Sequence, residues 1–144
     1  MIIKYFELKK KNLKGKNFFL LYGNNEGLIN ETINENLKPI LPKNIFNYEE
    51  DEILKNVESF KEHLLNKSFF ENEKLIIVKR ISDKFFKIIE EIVLKDINDL
   101  SIILVANNLD KRSKLRVFFE KKTNTTCIPF YEDNAQTLGF LTQK

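Results

Sequence analysis

Three unbroken apolar runs decide most of what this chain can become: Phe18-Phe-Leu-Leu-Tyr22, Leu75-Ile-Ile-Val78 and Ser101-Ile-Ile-Leu-Val-Ala106. A strand with one wet face alternates polar and apolar residues with period two. A continuous run instead fits a strand buried on both faces, as in a parallel sheet with helices above and below. Two weaker runs, Ile45-Phe-Asn-Tyr48 and Thr126-Cys-Ile128 before Pro129, read as further strands. The opening Met1-Ile-Ile-Lys-Tyr-Phe-Glu7 alternates as a short strand does.

The intervening segments have helical spacing. Residues 28–37 place Leu28, Ile29, Thr32, Ile33 and Leu37 on one stripe, and Pro39 and Pro42 punctuate the passage to the next strand. Residues 51–65 do the same with Ile53, Leu54, Val57, Phe60, Leu64 and Leu65. Residues 83–95 carry Phe85, Phe86, Ile89, Ile92 and Val93 behind Ser82 as N-cap, and 115–122 predict a short basic helix behind Ser113. Strands alternating with helices predict an α/β fold: three layers, a mostly parallel sheet, helices on both faces.

With 144 residues, 42% of them hydrophobic and thirteen Phe, the chain can fill one core. Residues 1–130 are expected to form that domain. Residues 131–144 begin another amphipathic segment (Ala135, Leu138, Leu141) and stop without a cap, as a connection to a further domain would. Twenty-four basic and twenty-one acidic residues leave a net charge of +3, a mixed surface that does not by itself imply nucleic acid. One cysteine, Cys127, and one histidine, His63, permit no internal disulfide and no tetrahedral Cys/His metal site. A single thiol suits a reducing cytoplasm, and nothing approaches the length of a membrane span or a signal peptide.

The strongest local pattern is Phe18 to Tyr22, then Gly23-Asn-Asn-Glu-Gly27, then Leu28-Ile-Asn30. Strand, glycine turn and helix are how a phosphate-binding loop is built, and a working one spells G-x-x-x-x-G-K-[ST]. Aligned on Gly23, Leu28 takes the second glycine, Ile29 the phosphate-binding lysine and Asn30 the magnesium-binding hydroxyl. A P-loop ATPase strand also ends in a metal-holding Asp. Here Leu75 to Val78 runs into Lys79-Arg80, which would repel a cation. The architecture is kept and the chemistry is lost.

A second pattern is Ser68-Phe69-Phe70 between polar residues. The pair packs under the sheet or forms an exposed apolar anchor for a partner. A third is Asn107, at the end of an expected central strand, followed by Lys111, Arg112, Lys114 and Arg116. These cations form a solvated face or meet DNA phosphates or an acidic partner. The Lys9–Lys11 run, with Lys14 and Lys16, reads as a solvated loop. Glu49 to Glu52 open a helix, where acids favour the dipole. No nucleophile or acid–base pair emerges.

Taken in order, Phe19-Leu-Leu-Tyr-Gly23 with its lysine-free loop, the acidic helix, Ser68-Phe-Phe, Lys74-Leu-Ile-Ile-Val, Leu109-Asp-Lys-Arg-Ser-Lys-Leu and Pro129-Phe130-Tyr resemble the delta subunit of bacterial DNA polymerase III. The resemblance implies the N-terminal AAA+-type domain, like a P-loop NTPase in fold, of a clamp-loader subunit without a cofactor or catalytic site of its own. The polymerase holoenzyme, a nucleotidyltransferase, would be its setting in DNA replication. The domain would bind the beta sliding clamp through Phe69 and Phe70, with Ser68 beside them, and open the ring for loading onto primed DNA. Gamma/tau and delta prime subunits would join through domains beyond this one. The rival readings are a divergent P-loop ATPase or nucleotide kinase using Gly23 and Gly27, and a DNA-binding module using residues 111–116.

Overall fold

The computed structural model describes residues 2–4, 7, 17–65, 73–95, 100–122 and 124–130. Five strands, β1 (Phe18–Tyr22), β2 (Ile45–Glu49), β3 (Lys74–Lys79), β4 (Leu100–Ala106) and β5 (Thr125–Pro129), form one sheet in the order β2-β3-β4-β1-β5. Every pairing is parallel. The strand expectations hold, and the mostly parallel sheet is wholly parallel among these strands.

The two-faced burial follows from alternation inside each run. Phe18, Leu20 and Tyr22 face one layer with Ile76, Val78, Ile102 and Leu104, while Phe19, Leu21, Ile77, Ile103 and Val105 face the other. The first layer is roofed by α2 (Glu50–Lys55), α3 (Val57–Leu65), α4 (Phe86–Lys95) and α5 (Lys114–Lys121). The second is covered by α1 (Glu26–Thr32) and the π-helical turn Ile33–Leu37, which bring in Ile29, Ile33 and Leu37. Strand β2 lies at the sheet edge and is only half-buried, so its run is interrupted by exposed Asn47. Of the expected N-terminal strand the described residues show one bridge, Ile2 with Cys127, and buried Ile3 donates its N–H to the Cys127 carbonyl at 3.0 Å.

Three helix expectations need correction in detail. The stripe at 28–37 is real, but the helix starts earlier at Glu26, and its C-terminal half is π-helical. Residues 51–65 form two helices. Asn56 leaves helical geometry (φ −153°, ψ 78°), and its side chain accepts from the Ser59 N–H at 3.1 Å, so an asparagine that caps the second helix ends the first. Ser82 does cap its segment, through a 3-10 turn at Asp83–Phe85 before α4 begins. Among the described residues no helix is long and apolar enough to cross a membrane.

Candidate functional site

Ligands of open parallel sheets meet the carboxyl ends of the strands, and the loops there decide what this fold can bind. The turn from β1 to α1 is only Gly23-Asn24-Asn25. Gly23 sits at φ 141°, and its N–H donates to the Asn107 carbonyl at the end of β4. On its other side runs the backbone of Phe130, whose N–H donates to the Tyr22 carbonyl at 2.6 Å. A Cβ on Gly23 would fall 2.9 Å from Phe130 Cα and nearer still to its carbonyl. Chain segments from three strands thus meet at the Gly23 turn. The Asn25 carboxamide accepts from the Leu28 N–H at 3.1 Å, filling the anion position at the start of α1 with the protein's own oxygen.

The remaining loop residues also lack phosphate chemistry. Gly27 lies within the first turn of α1, and Leu28 is half-buried beside it. Ile29, at the lysine position, is buried in the second core, and Asn30 lines a polar cleft with Asn34, Lys38, Asn47 and Lys79. At the end of β3, Arg80 adopts a left-handed φ of 58° and lies 3.8 Å from Glu49, both largely in solvent.

The side chains of the basic cluster lie in different environments. Arg116 turns into the fold: its Nε donates to Glu120 at 3.0 Å, one Nη donates to the Leu109 carbonyl at 3.0 Å, and its guanidinium stands 5.2 Å from the Tyr22 ring centre. Lys111 and Arg112 remain exposed on the preceding turn, where Asp110 accepts from the Arg112 N–H at 2.8 Å. Asn107 contributes its carbonyl to the Gly23 turn, while its side chain is exposed. Gly23, Asn107 and Arg116 therefore gather around Tyr22 as structural supports.

Sequence reasoning missed two carboxylates. Glu50, only 5% exposed, accepts from the Ser82 N–H at 2.8 Å and from the Ser82 hydroxyl at 3.0 and 2.8 Å, tying α2 to the segment that leaves β3. The signal was a fourth acid in a run that needed fewer for a helix start. Asp83 accepts from the Ser113 hydroxyl at 2.6 Å and from the Lys114 and Leu115 N–H groups at 3.2 and 3.4 Å, capping α5 from another element. Partial desolvation pushes this carboxyl up, but those hydrogen bonds and the Lys114 charge outweigh it and hold it below the usual 3.8. A depressed carboxyl stabilises the fold above its unfolded pKa and loses that contribution as pH falls through the folded value. Asp83→Ala is expected to cost about 0.5–1 kcal/mol at neutral pH, the lower part of the capping range because the group is exposed. In thermal melts the gap to wild type should close below pH 3.8.

Cys127 is buried in β5, and burial first, then the Glu120 charge, pushes its thiol up to about 12, so it is no nucleophile. His63, near the end of α3, shares a 2.6 Å hydrogen bond with the Tyr48 hydroxyl, and its carbonyl accepts from the buried Lys74 ammonium. Both ends of the α3–β3 connection are thereby fixed. The expected partner anchor, Ser68, Phe69 and Phe70, lies on that connection and outside the described residues, as does the expected inter-domain segment 131–144.

Among solved structures the fold is similar to that of the Bacillus subtilis DNA clamp loader delta protein YqeN, with a TM-score of 0.71 over 96% of this chain at 19% identity. The chain has the fold of a clamp loader delta protein. It spans 45% of that longer chain. Saccharomyces cerevisiae RIF2 is also similar, with a TM-score of 0.56 and 20% identity, covering 96% of this chain and 59% of its own. No family model and no curated protein sequence matches the chain.

Proposed function

We propose that this chain is the clamp-gripping N-terminal domain of a clamp-loader delta subunit, which binds a beta sliding clamp and favours its open ring without hydrolysing ATP. The observation that carries the reading is the pairing of a clamp loader delta fold with a turn after β1 that is occupied by the protein itself. The divergent ATPase reading lacks a lysine at position 29 and meets the Asn25 carboxamide at the start of α1. The DNA-binding reading loses Arg116 to Glu120 and Leu109.

The gripping residues are Phe69 and Phe70, with Ser68 beside them. Each Phe side chain is worth about 1.5–3 kcal/mol if fully buried in a pocket of the clamp. Such a domain works by differential binding: it holds an open or strained ring interface more tightly than a closed one, and the difference shifts the ring population. Energy for the cycle would come from the ATPase partners, gamma/tau, with delta prime completing the assembly on primed DNA in the cytoplasm.

The test is surface plasmon resonance of the purified chain on the cognate sliding clamp, with Phe69→Ala/Phe70→Ala beside it and folding checked by circular dichroism. Micromolar or tighter binding is expected for the wild type. The folded double variant should lose at least a hundredfold, from about 3 kcal/mol of lost burial. No binding by the wild type, or equal binding by the folded variant, removes the gripping role from these residues.

A further inference from the structure

We propose that the groove between α4 and α5 docks an acidic peptide segment of a partner protein, one that places a large apolar side chain between carboxylates. The floor is Phe86 of α4 with Val117 and Phe118 of α5, in a cleft of about 660 Å³. The rim is Arg112, Lys114, Lys121 and Lys122. Helix α5 already spends one apolar stripe on the fold, since Leu115 and Phe119 are fully buried. Its second stripe is Lys114, Val117, Phe118 and Lys121, spaced i, i+3, i+4 and i+7 on the outer face. A solvated face has no need of Val and Phe at those positions, and both stay only half-buried. An apolar notch ringed by long cations is the form of an anchor pocket with a charged border.

Charge selects the partner's sign. No carboxylate lines the groove among the described residues, and the nearby Glu120 is held by Arg116 at 3.0 Å. Asp83 approaches from the α4 side, but it is engaged by Ser113 and the first N–H groups of α5. Lys114 and Lys121 stand seven residues apart on one helix, so they bracket an anchor over about 10 Å.

Ring geometry separates a peptide from a nucleic acid. Phe86 meets Phe118 edge to face at 5.8 Å and 83°, and Phe118 meets Phe119 at 5.9 Å in the same manner. The Lys122 ammonium stands 5.9 Å from the Phe118 ring centre. Stacked bases need an open ring face to lie parallel on, and the Phe118 ring already makes two edge-to-face contacts and has a cation 5.9 Å from its centre. An aliphatic or aromatic side chain needs only the notch. The described lining residues fall at Phe86 and between Arg112 and Lys122, so the proposal stands whether or not the chain grips a clamp.

The experiment is panning of a phage-displayed random peptide library on the purified chain. One enriched sequence is then made as a synthetic peptide and titrated by fluorescence anisotropy. Enrichment of Asp and Glu around a Phe, Leu or Met is expected. Arg112→Glu/Lys121→Glu should weaken the synthetic peptide about tenfold or more, as reversing two exposed contacts into repulsions implies. Val117→Asp, checked for folding, should weaken it comparably. No enrichment, enrichment without acids, or undiminished binding by the folded variants overturns the proposal. Labelled oligothymidylate binding more tightly than the peptide, and lost in the same variants, also overturns it and assigns the groove to nucleic acid.

Discussion

Gly23→Ala is expected to destabilise the chain by about 3 kcal/mol or more, enough to unfold a marginal domain, while Gly27→Ala leaves it folded. At φ 141° an L-residue carries about 1–3 kcal/mol of backbone strain. The added methyl also meets Phe130 Cα at 2.9 Å and its carbonyl closer still, and a backbone cannot rotate aside as a side chain can. Overpacking of this kind costs about 1–3 kcal/mol more. Gly27 makes an internal control four residues on. Its virtual methyl meets only the Asn25 carboxamide at 3.9 Å, and Ala gains about 0.5–1 kcal/mol in a helix. Urea unfolding followed by circular dichroism separates the two. Equal midpoints would mean that Phe130 does not press on the turn.

Glu50→Ala should be the most damaging change of an acidic residue among those described, at about 3 kcal/mol. It removes the acceptor of two Ser82 donors, the N–H and an O–H shared between both carboxylate oxygens, and leaves the Ser82 N–H without that partner in a partly buried setting. Bonds to charged groups contribute about 1.5–3 kcal/mol each, with less than full additivity in one cluster. Glu50→Gln keeps one acceptor oxygen and should recover about half of the loss. Replacement of neighbouring Asp51, which is exposed, should move stability by less than about 0.5 kcal/mol. Chemical denaturation of the three variants decides it, and a Glu50→Ala midpoint at the Asp51→Ala value would sink the account.

The sheet was legible because burial on both faces leaves a signature that needs no tertiary knowledge: β1, β3 and β4 are continuous apolar runs. Ile29 and Lys79-Arg80, which depart from the phosphate-loop pattern, could be read directly from the sequence. What could not be read were contacts between distant segments. Nothing in Gly23 announces that Phe130 will lie against it, nothing in Asp83 that it caps a helix thirty residues on, and Arg116 looked like one cation among four. Asn56 split a helix whose apolar stripe ran on without a break, because side-chain capping competes locally with a periodicity that only reports burial. The Val117–Phe118 face escaped notice because a short basic helix hides an apolar notch between its lysines.

The strand order also constrains how the chain comes to be. Among the five described strands β1 is made first, yet its two neighbours are β4 and β5, the last two of the five. An emerging chain therefore holds the fully buried β1 unpaired until Leu100–Ala106 has been made, whereas β2 and β3 can meet early. Closing so long a loop before any reward makes assembly slow and leaves a sticky edge exposed in the meantime. The exposure of an unpaired β1 before Leu100 is made thus follows from the order of the sheet and not from any one residue.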